Sequence, residues 1–415
     1  MAATARYLPR ALEPVLRRAA RGFPVVLVTG PRQSGKTTLL RHVFGDRCGY
    51  AAVDLPDVRA AASLDPRGFL AMNPAPLIVD EVQRAPELLP YIRAAVDERR
   101  DVPGQYLLTG SRNLVLMQAV SKTLAGRVAV LRLPPLTFRE EAGDPARALP
   151  WEPARPARRG GGQLAGRDLW RRLVRGGYPE LVAARSRDAA AWHRGYVATY
   201  LERDLRSVRQ VGDLAAFQTF LVALAARSGR MLNATDLGRD LGLATNTIRA
   251  WISVLEATFQ VMVVRPYFAN VGKRLVKTPK VYFTDTGILC HLSGLAAAGR
   301  AAADLLAAGP MAGPVFETAV LAEVVRTAWG RGEEPRVWFW RTSAGAEVDF
   351  VVETGGRLVA IEAKSSATPR APMASGVKQF RRDVGAAAGP GFVVHAGDVR
   401  LPLGDGVTAI PFGEL

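Results

Sequence analysis

Short apolar runs recur through the first third of the chain, each closed by glycine, proline or charged residues. They fall at 25–28, 50–53, 77–79, 105–109 and 128–131. Runs of this length bounded by turn residues predict buried strands, and the longer stretches between them predict helices. Strand and helix alternate, which predicts an α/β fold with a parallel sheet. Residues 1–22 read as an amphipathic helix leading into the first strand. Residues 143–166 are rich in Pro, Arg, Ala and Gly, including an RRGGG run, and read as a flexible connection.

The pattern then turns helical over 169–205, with Trp170, Tyr178, Trp192 and Tyr196 as packing residues. In 233–259, Leu237 and Leu241 face one way before Gly242. Thr245 or Asn246 then caps a second helix carrying Ile248, Ile252 and Leu255. That is helix-turn-helix spacing. Residues 261–264 and 267–280, with Lys273, Arg274, Lys277 and Lys280, read as a winged-helix hairpin. Residues 348–353 and 357–364 predict two strands joined at Gly355-Gly356, a strong hairpin turn.

Charge changes the picture. Lys and Arg number 55 against 38 Asp and Glu, a net charge of +17. Such a surplus favours a polyanionic partner, and DNA is the expected one. Arg249 on the second helix, with Lys273 and Arg274 on the wing, are the candidate contacts. A winged helix that packs against protein is the competing reading. The two cysteines, Cys48 and Cys290, give no disulfide framework and no metal-type spacing, which fits a reducing cytoplasm. No apolar run approaches a membrane span, so no membrane partner is expected.

The first candidate site is Gly30-Pro31-Arg32-Gln33-Ser34-Gly35-Lys36-Thr37, followed by Thr38, at a strand-to-helix junction. Gly30 and Gly35 let the backbone curl so that successive N–H groups face one anion. Lys36 reaches the β- and γ-phosphates of ATP, and the Thr37 hydroxyl ligates Mg2+. Asp80 and Glu81 end the third apolar run. Asp80 can hold the metal through water and Glu81 can act as general base. Ser111 and Asn113, just past the fourth run, are candidate contacts to the γ-phosphate or the lytic water. Arg127 is a candidate γ-phosphate sensor or arginine finger, within a subunit or across a homo-oligomer.

GPRQSGKTTLL, LIVDEVQ, LLTGSRN, LAGR, GGYPE (176–180) and YLERDLR (200–206) together resemble the prokaryotic AAA-type ATPases that carry a C-terminal domain of unknown function. The resemblance covers nearly the whole chain. It implies a P-loop core with Asp80-Glu81 as Walker B and a polar sensor near Ser111.

The C-terminal third holds a second candidate site. Counting back from Gly355-Gly356 sets Asp349 opposite Glu362, and opposed carboxylates repel without a cation between them. Lys364 shares a face with Glu362. Glu317, on a helix over 315–329, can close the site, and Lys378 and Gln379 follow on the next helix. A hairpin with D…E-x-K and a helical Glu resembles the PD-(D/E)xK nuclease fold. That implies a metal on Asp349 and Glu362, with Lys364 beside the water. Such a domain either cuts or only binds.

The expected organisation is an ATPase core over 1–140, a connection over 141–168, a helical segment over 169–207, a winged helix over 208–290 and a nuclease-like domain over 291–415. The expected function is a cytoplasmic Mg2+-dependent ATPase acting on DNA. The alternative is a nucleotide-switched regulator whose C-terminal half binds a protein partner.

Overall fold

The apolar runs of the first third pair into one sheet. β1 (Val25–Gly30), β2 (Gly49–Ala52), β3 (Leu77–Asp80), β4 (Tyr106–Ser111) and β5 (Val128–Arg132) lie in the order β2-β3-β4-β1-β5. Every pairing is parallel. This is a computed structural model, and it describes residues 7–111, 114–152, 164–201, 213–268 and 278–415. β1 sits between β4 and β5 and is buried along its whole length, as a strand covered on both faces must be. Its side chains alternate between two apolar layers. Val25 and Leu27 join Val79 and Leu108 on one face; Val26 and Val28 join Ile78, Leu107, Leu12 just before the first helix and Leu16 within it on the other. The N-terminal helix is Glu13–Gly22, started by a proline in its first turn.

The second sheet has eight strands. They are β6 (Val261–Pro266), β7 (Lys280–Phe283), β8 (Val337–Arg341), β9 (Glu347–Thr354), β10 (Arg357–Lys364), β11 (Ala388–His395), β12 (Leu401–Gly404) and β13 (Val407–Pro411), in the order β12-β13-β11-β10-β9-β8-β6-β7. β6 pairs antiparallel with β7, then parallel with β8 through Arg265–Trp338 and Pro266–Phe339. The two strands expected to form a wing therefore extend the C-terminal sheet, which runs across residue 290. The stretch between them, with Lys273, Arg274 and Lys277, lies outside the described residues, as do Asn113 and most of YLERDLR.

Two helices, Ala234–Leu241 and Thr245–Ala257, precede β6. Asn233 accepts from the N–H groups of Thr235 and Asp236, and left-handed Gly242 (φ 67°) ends the first helix. The second starts from Ala244 with no side-chain cap, so Thr245 is a helical residue and not the cap. Trp251 meets Phe217 and Phe220 edge-on. Trp170, Tyr178 and Tyr196 are buried in the same large core, with Trp192 packed on it.

Helix Ala312–Gly330 threads that core and is buried on most of its faces. Near its end, Arg326 donates to Asp285 Oδ2 at 3.1 Å and to the carbonyl oxygens of Leu136 (2.9 Å) and Thr284. Asp285 also accepts from the Gly177 N–H (2.7 Å) and caps helix Thr286–Leu292. Burial pushes the Asp285 carboxyl up, but Arg326 and the N–H donors outweigh it and leave it below the ordinary range. Arg326→Met should therefore strand a buried carboxylate and cost about 3 kcal/mol or more. Thermal unfolding of the two proteins checks this; equal midpoints at neutral pH would contradict it.

Candidate functional site

The loop after β1 is held from two sides. Gly30 lies so close to β5's continuation that a Cβ there would sit 2.2 Å from Leu133 O. Gly35 takes φ 90°, which admits glycine readily, and helix Lys36–Phe44 starts from it. Arg10, buried before the first helix, donates to Ser34 O (2.9 Å), to Pro134 O (2.5 Å) and to Glu140 Oε1 (3.1 Å). Lys36 lies along the loop, its ammonium donating to Pro31 O (2.9 Å) and Gly30 O (3.3 Å).

The carboxylates at the end of β3 meet this loop. Thr37 Oγ1 donates to Asp80 Oδ1 at 2.7 Å, and Tyr50 donates to Asp80 Oδ2 at 3.0 Å. The Thr109 hydroxyl also reaches Asp80. Burial, then the Asp80 charge, push the Tyr50 hydroxyl up to about 12, so it stays a donor. Glu81 is left-handed (φ 57°, ψ 44°); its N–H donates to Thr109 Oγ1 and its carboxylate accepts from Gln83. Ser111 stands opposite Gly30 in the β1–β4 register. Ser34 Oγ, Ser111 Oγ and Gln83 Oε1 are all buried without a partner among the described residues. Unpaired polar atoms around an N–H-lined loop fit a phosphate chain with its hydrated metal.

Two openings of about 500 Å3 each flank the loop. One is lined by Tyr7, Arg10, Thr38, Leu136, Pro179 and Glu180. The other is lined by Arg32, Gln33 and Thr37 with Asp80, Glu81 and the arginines 59 and 84. Sequence reasoning missed Arg10, Arg59, Arg84 and the pocket-lining Pro179. Pro179 belongs to GGYPE, so a motif held 140 residues downstream supplies a wall.

Arg127 is not brought to this site. Its carbonyl oxygen accepts from Val25 N–H at the start of β1, whereas the loop follows the end of β1. At the rise of a strand these points are about 20 Å apart. Its guanidinium is bound to Asp97 instead, at 2.7 and 3.0 Å. Arg249 is exposed on helix Thr245–Ala257, whose Ile248, Trp251 and Ile252 face the core. Lys378 pairs with Asp405 at 3.4 Å.

The second group forms at the β9–β10 hairpin. The register is the one counted from Gly355-Gly356, from Arg357–Thr354 to the last ladder pair, Ile361–Phe350. One step on, the Asp349 side chain and not its backbone takes the Ala363 N–H, at 2.9 Å. β9 also carries an extra residue against β8, because Trp338 and Trp340 pair with Val351 and Val348. Such a bulge re-aims a side chain. Lys364 donates to Glu362 Oε1 at 2.6 Å.

Lys280 is the residue that sequence reasoning misplaced. Expected in a winged-helix hairpin, it is 5% exposed. Its ammonium stands 2.6 Å from Glu347, 3.4 Å from Glu317 and 3.9 Å from Asp349. Tyr282 also donates to Glu317. The cation among these crowded carboxylates is therefore the chain's own. Among the described residues no group of three or more His, Cys, Asp or Glu is arranged to hold a metal ion. Burial, then Asp349, push Glu317 up to about 7 and Glu362 up to about 8. Burial likewise raises Asp349.

A phosphate-binding loop after an internal strand of a five-stranded parallel sheet, with Asp80 against its threonine, defines a P-loop ATPase domain of AAA type. Residues 22–142 match the family model described as an AAA domain. Residues 166–299 and 312–415 match two domains of unknown function, DUF8612 and DUF4143. The chain belongs to one family with the uncharacterized proteins Rv2008c of Mycobacterium tuberculosis and Mb2031c of Mycobacterium bovis. Each is 34% identical over 403 residues, covering 96% of this chain and 82% of the relative. Among solved structures, the Walker-type ATPase PABY2304 of Pyrococcus abyssi aligns over 68% of this chain and 94% of its own, at 15% identity and TM-score 0.43. A RuvB variant of Thermotoga maritima aligns over 60% and 88%, at 14% identity and TM-score 0.29. No single described helix is long and apolar enough to cross a membrane.

The raised carboxyls have a stability signature. A glutamate whose folded value lies near 8 binds more protons folded than unfolded between about pH 4.5 and 8, so stability falls as pH rises through that window. Glu362→Gln removes this loss. Without divalent ions it should be more stable than the parent at pH 9, by about 2 kcal/mol or more, and close to it at pH 5. Melting curves at the two pH values test it; a variant equally destabilised at both would contradict the assignment.

Proposed function

We propose that this protein is a Mg2+-dependent ATPase that acts on DNA. The observation that carries the ATPase part is the Thr37–Asp80 hydrogen bond beside a lysine laid along the phosphate loop. Bound magnesium would supply positive charge at the β- and γ-phosphate oxygens, held by Thr37 directly and by Asp80 through water. Lys36 leaves the loop carbonyls and neutralises the same oxygens. Ser34 and Ser111 donate their unpartnered hydroxyls. Glu81, fixed by Thr109 and Gln83, takes a proton from the attacking water. Tyr7, Leu136 and Pro179 give the adenine an apolar wall.

The net charge of +17 and the exposed Arg249 support DNA as the partner. The paired helices 234–241 and 245–257 fit the helical half of a winged helix. Glu317, Asp349, Glu362 and Lys364 fit a nuclease-like C-terminal unit. Lys280 within that group favours a second reading, in which the C-terminal half binds its partner and does not cut.

Lys36→Ala should abolish tight ATP binding. Glu81→Gln should bind ATP normally and lose at least about 100-fold in turnover. Equilibrium binding and steady-state hydrolysis separate the two roles, and loss of binding in both variants would defeat the assignment.

DNA should raise the ATPase rate and bind with a steep salt dependence. Arg249→Ala should reduce the slope of log K against log salt by about one. A titration series in rising salt measures it; an unchanged slope would place that helix away from the phosphates.

A further inference from the structure

The group around the β9–β10 hairpin is unbalanced in charge. Among the described residues, Glu317, Glu347, Asp349 and Glu362 face two ammonium groups, Lys280 and Lys364, and the Arg341 guanidinium, 3.8 Å from Glu347. Among the described residues Glu362 Oε2 is buried with no partner, so one acceptor still lacks a cation or donor there. Lys280 itself is heavily engaged. Besides its three carboxylates it lies 5.4 Å from the centre of the Phe339 ring. Its backbone is pinned in β7, paired with Val264 on one side and bridged to Met231 on the other. Only its four-carbon stem is free to swing.

A divalent ion that took oxygens from Glu317 and Asp349 would bind them at roughly 2.1–2.6 Å. The ammonium already stands at 3.4 and 3.9 Å from those same two carboxylates, so the two cations cannot share the position. We infer that the Lys280 ammonium is the resident cation of this group and that a divalent ion loads only by displacing it. This rests on the nuclease-like reading of the C-terminal unit. It adds to that reading a residue outside the D…E-x-K pattern, contributed by a strand more than 60 residues earlier. The metal-free state then keeps Glu317 and Asp349 beside an ammonium, and Lys280 sets how much free metal is needed to leave it.

The test uses the full chain without nucleotide, with Mn2+ as the probe and its free fraction read by electron paramagnetic resonance. Lys280→Met should tighten the Mn2+ site by about tenfold or more, and adding Glu362→Gln should abolish it. The parent protein gives a second measurement that needs no variant to fold. Reductive methylation, mapped by mass spectrometry, should leave Lys280 unmodified without metal and modify it once Mn2+ saturates the site. Glu362-dependent Mn2+ binding that Lys280→Met leaves unchanged or weakens, with Lys280 still protected, would overturn the competition and keep the metal site. Absence of Glu362-dependent binding in both parent and Lys280→Met would overturn the nuclease-like reading together with it.

Discussion

Asp285 and Arg326 form the contact on which the assembly of the chain depends. Asp285 is 1% exposed, and such a carboxylate survives only with full pairing. It receives that from the Gly177 N–H, from the start of its own helix and from the Arg326 guanidinium. Arg326 passes the connection on to Leu136 O, and Leu136 N–H donates to Gly177 O at 2.8 Å. Three distant stretches, 136, 176–177 and 285, are thus tied to one helix. Leu136 and Pro179 sit in the wall of the nucleotide opening, so the tie ends at the candidate ATP site.

Helix Ala312–Gly330 carries this tie at one end and the acid group at the other. Glu317 faces Lys280 and Tyr282 near its start. Glu323, one and a half turns later, accepts from Phe138 N–H at 3.0 Å and lies 3.9 Å from Arg139. Arg139 in turn donates to the C-terminal Leu415 carbonyl. The P-loop side of the molecule and the β9–β10 hairpin therefore share a single rigid rod, packed on nearly all sides.

What could be read from the sequence follows the range of the interactions. The P-loop, β1, β3 and the β9–β10 register were legible because each is a local pattern, and the Gly355-Gly356 turn fixes the count by itself. Arg127 follows a short turn, and nothing local says which end of the sheet that turn occupies. Lys280 ended a basic stretch read as a winged-helix hairpin, and its carboxylates lie 37 or more residues further on. One sign was available: Lys280 heads an apolar strand, Val281-Tyr282-Phe283. The pairing of β6 with β8 depends on residues some 70 positions apart, beyond the reach of periodicity.

The position of Pro179 and Glu180 bears on how such a chain can be taken apart. The stretch 22–142 has the outline of a unit that could be cloned, swapped or inherited separately. Yet one wall of its opening and the hydrogen-bond partners of Leu136 come from residues beyond 175. Cutting near 142 would leave raw apolar surface and two orphaned backbone groups. The three matched stretches are thus poor currency for recombination: exchanging any one between relatives demands matching changes at 136, 177, 285 and 326.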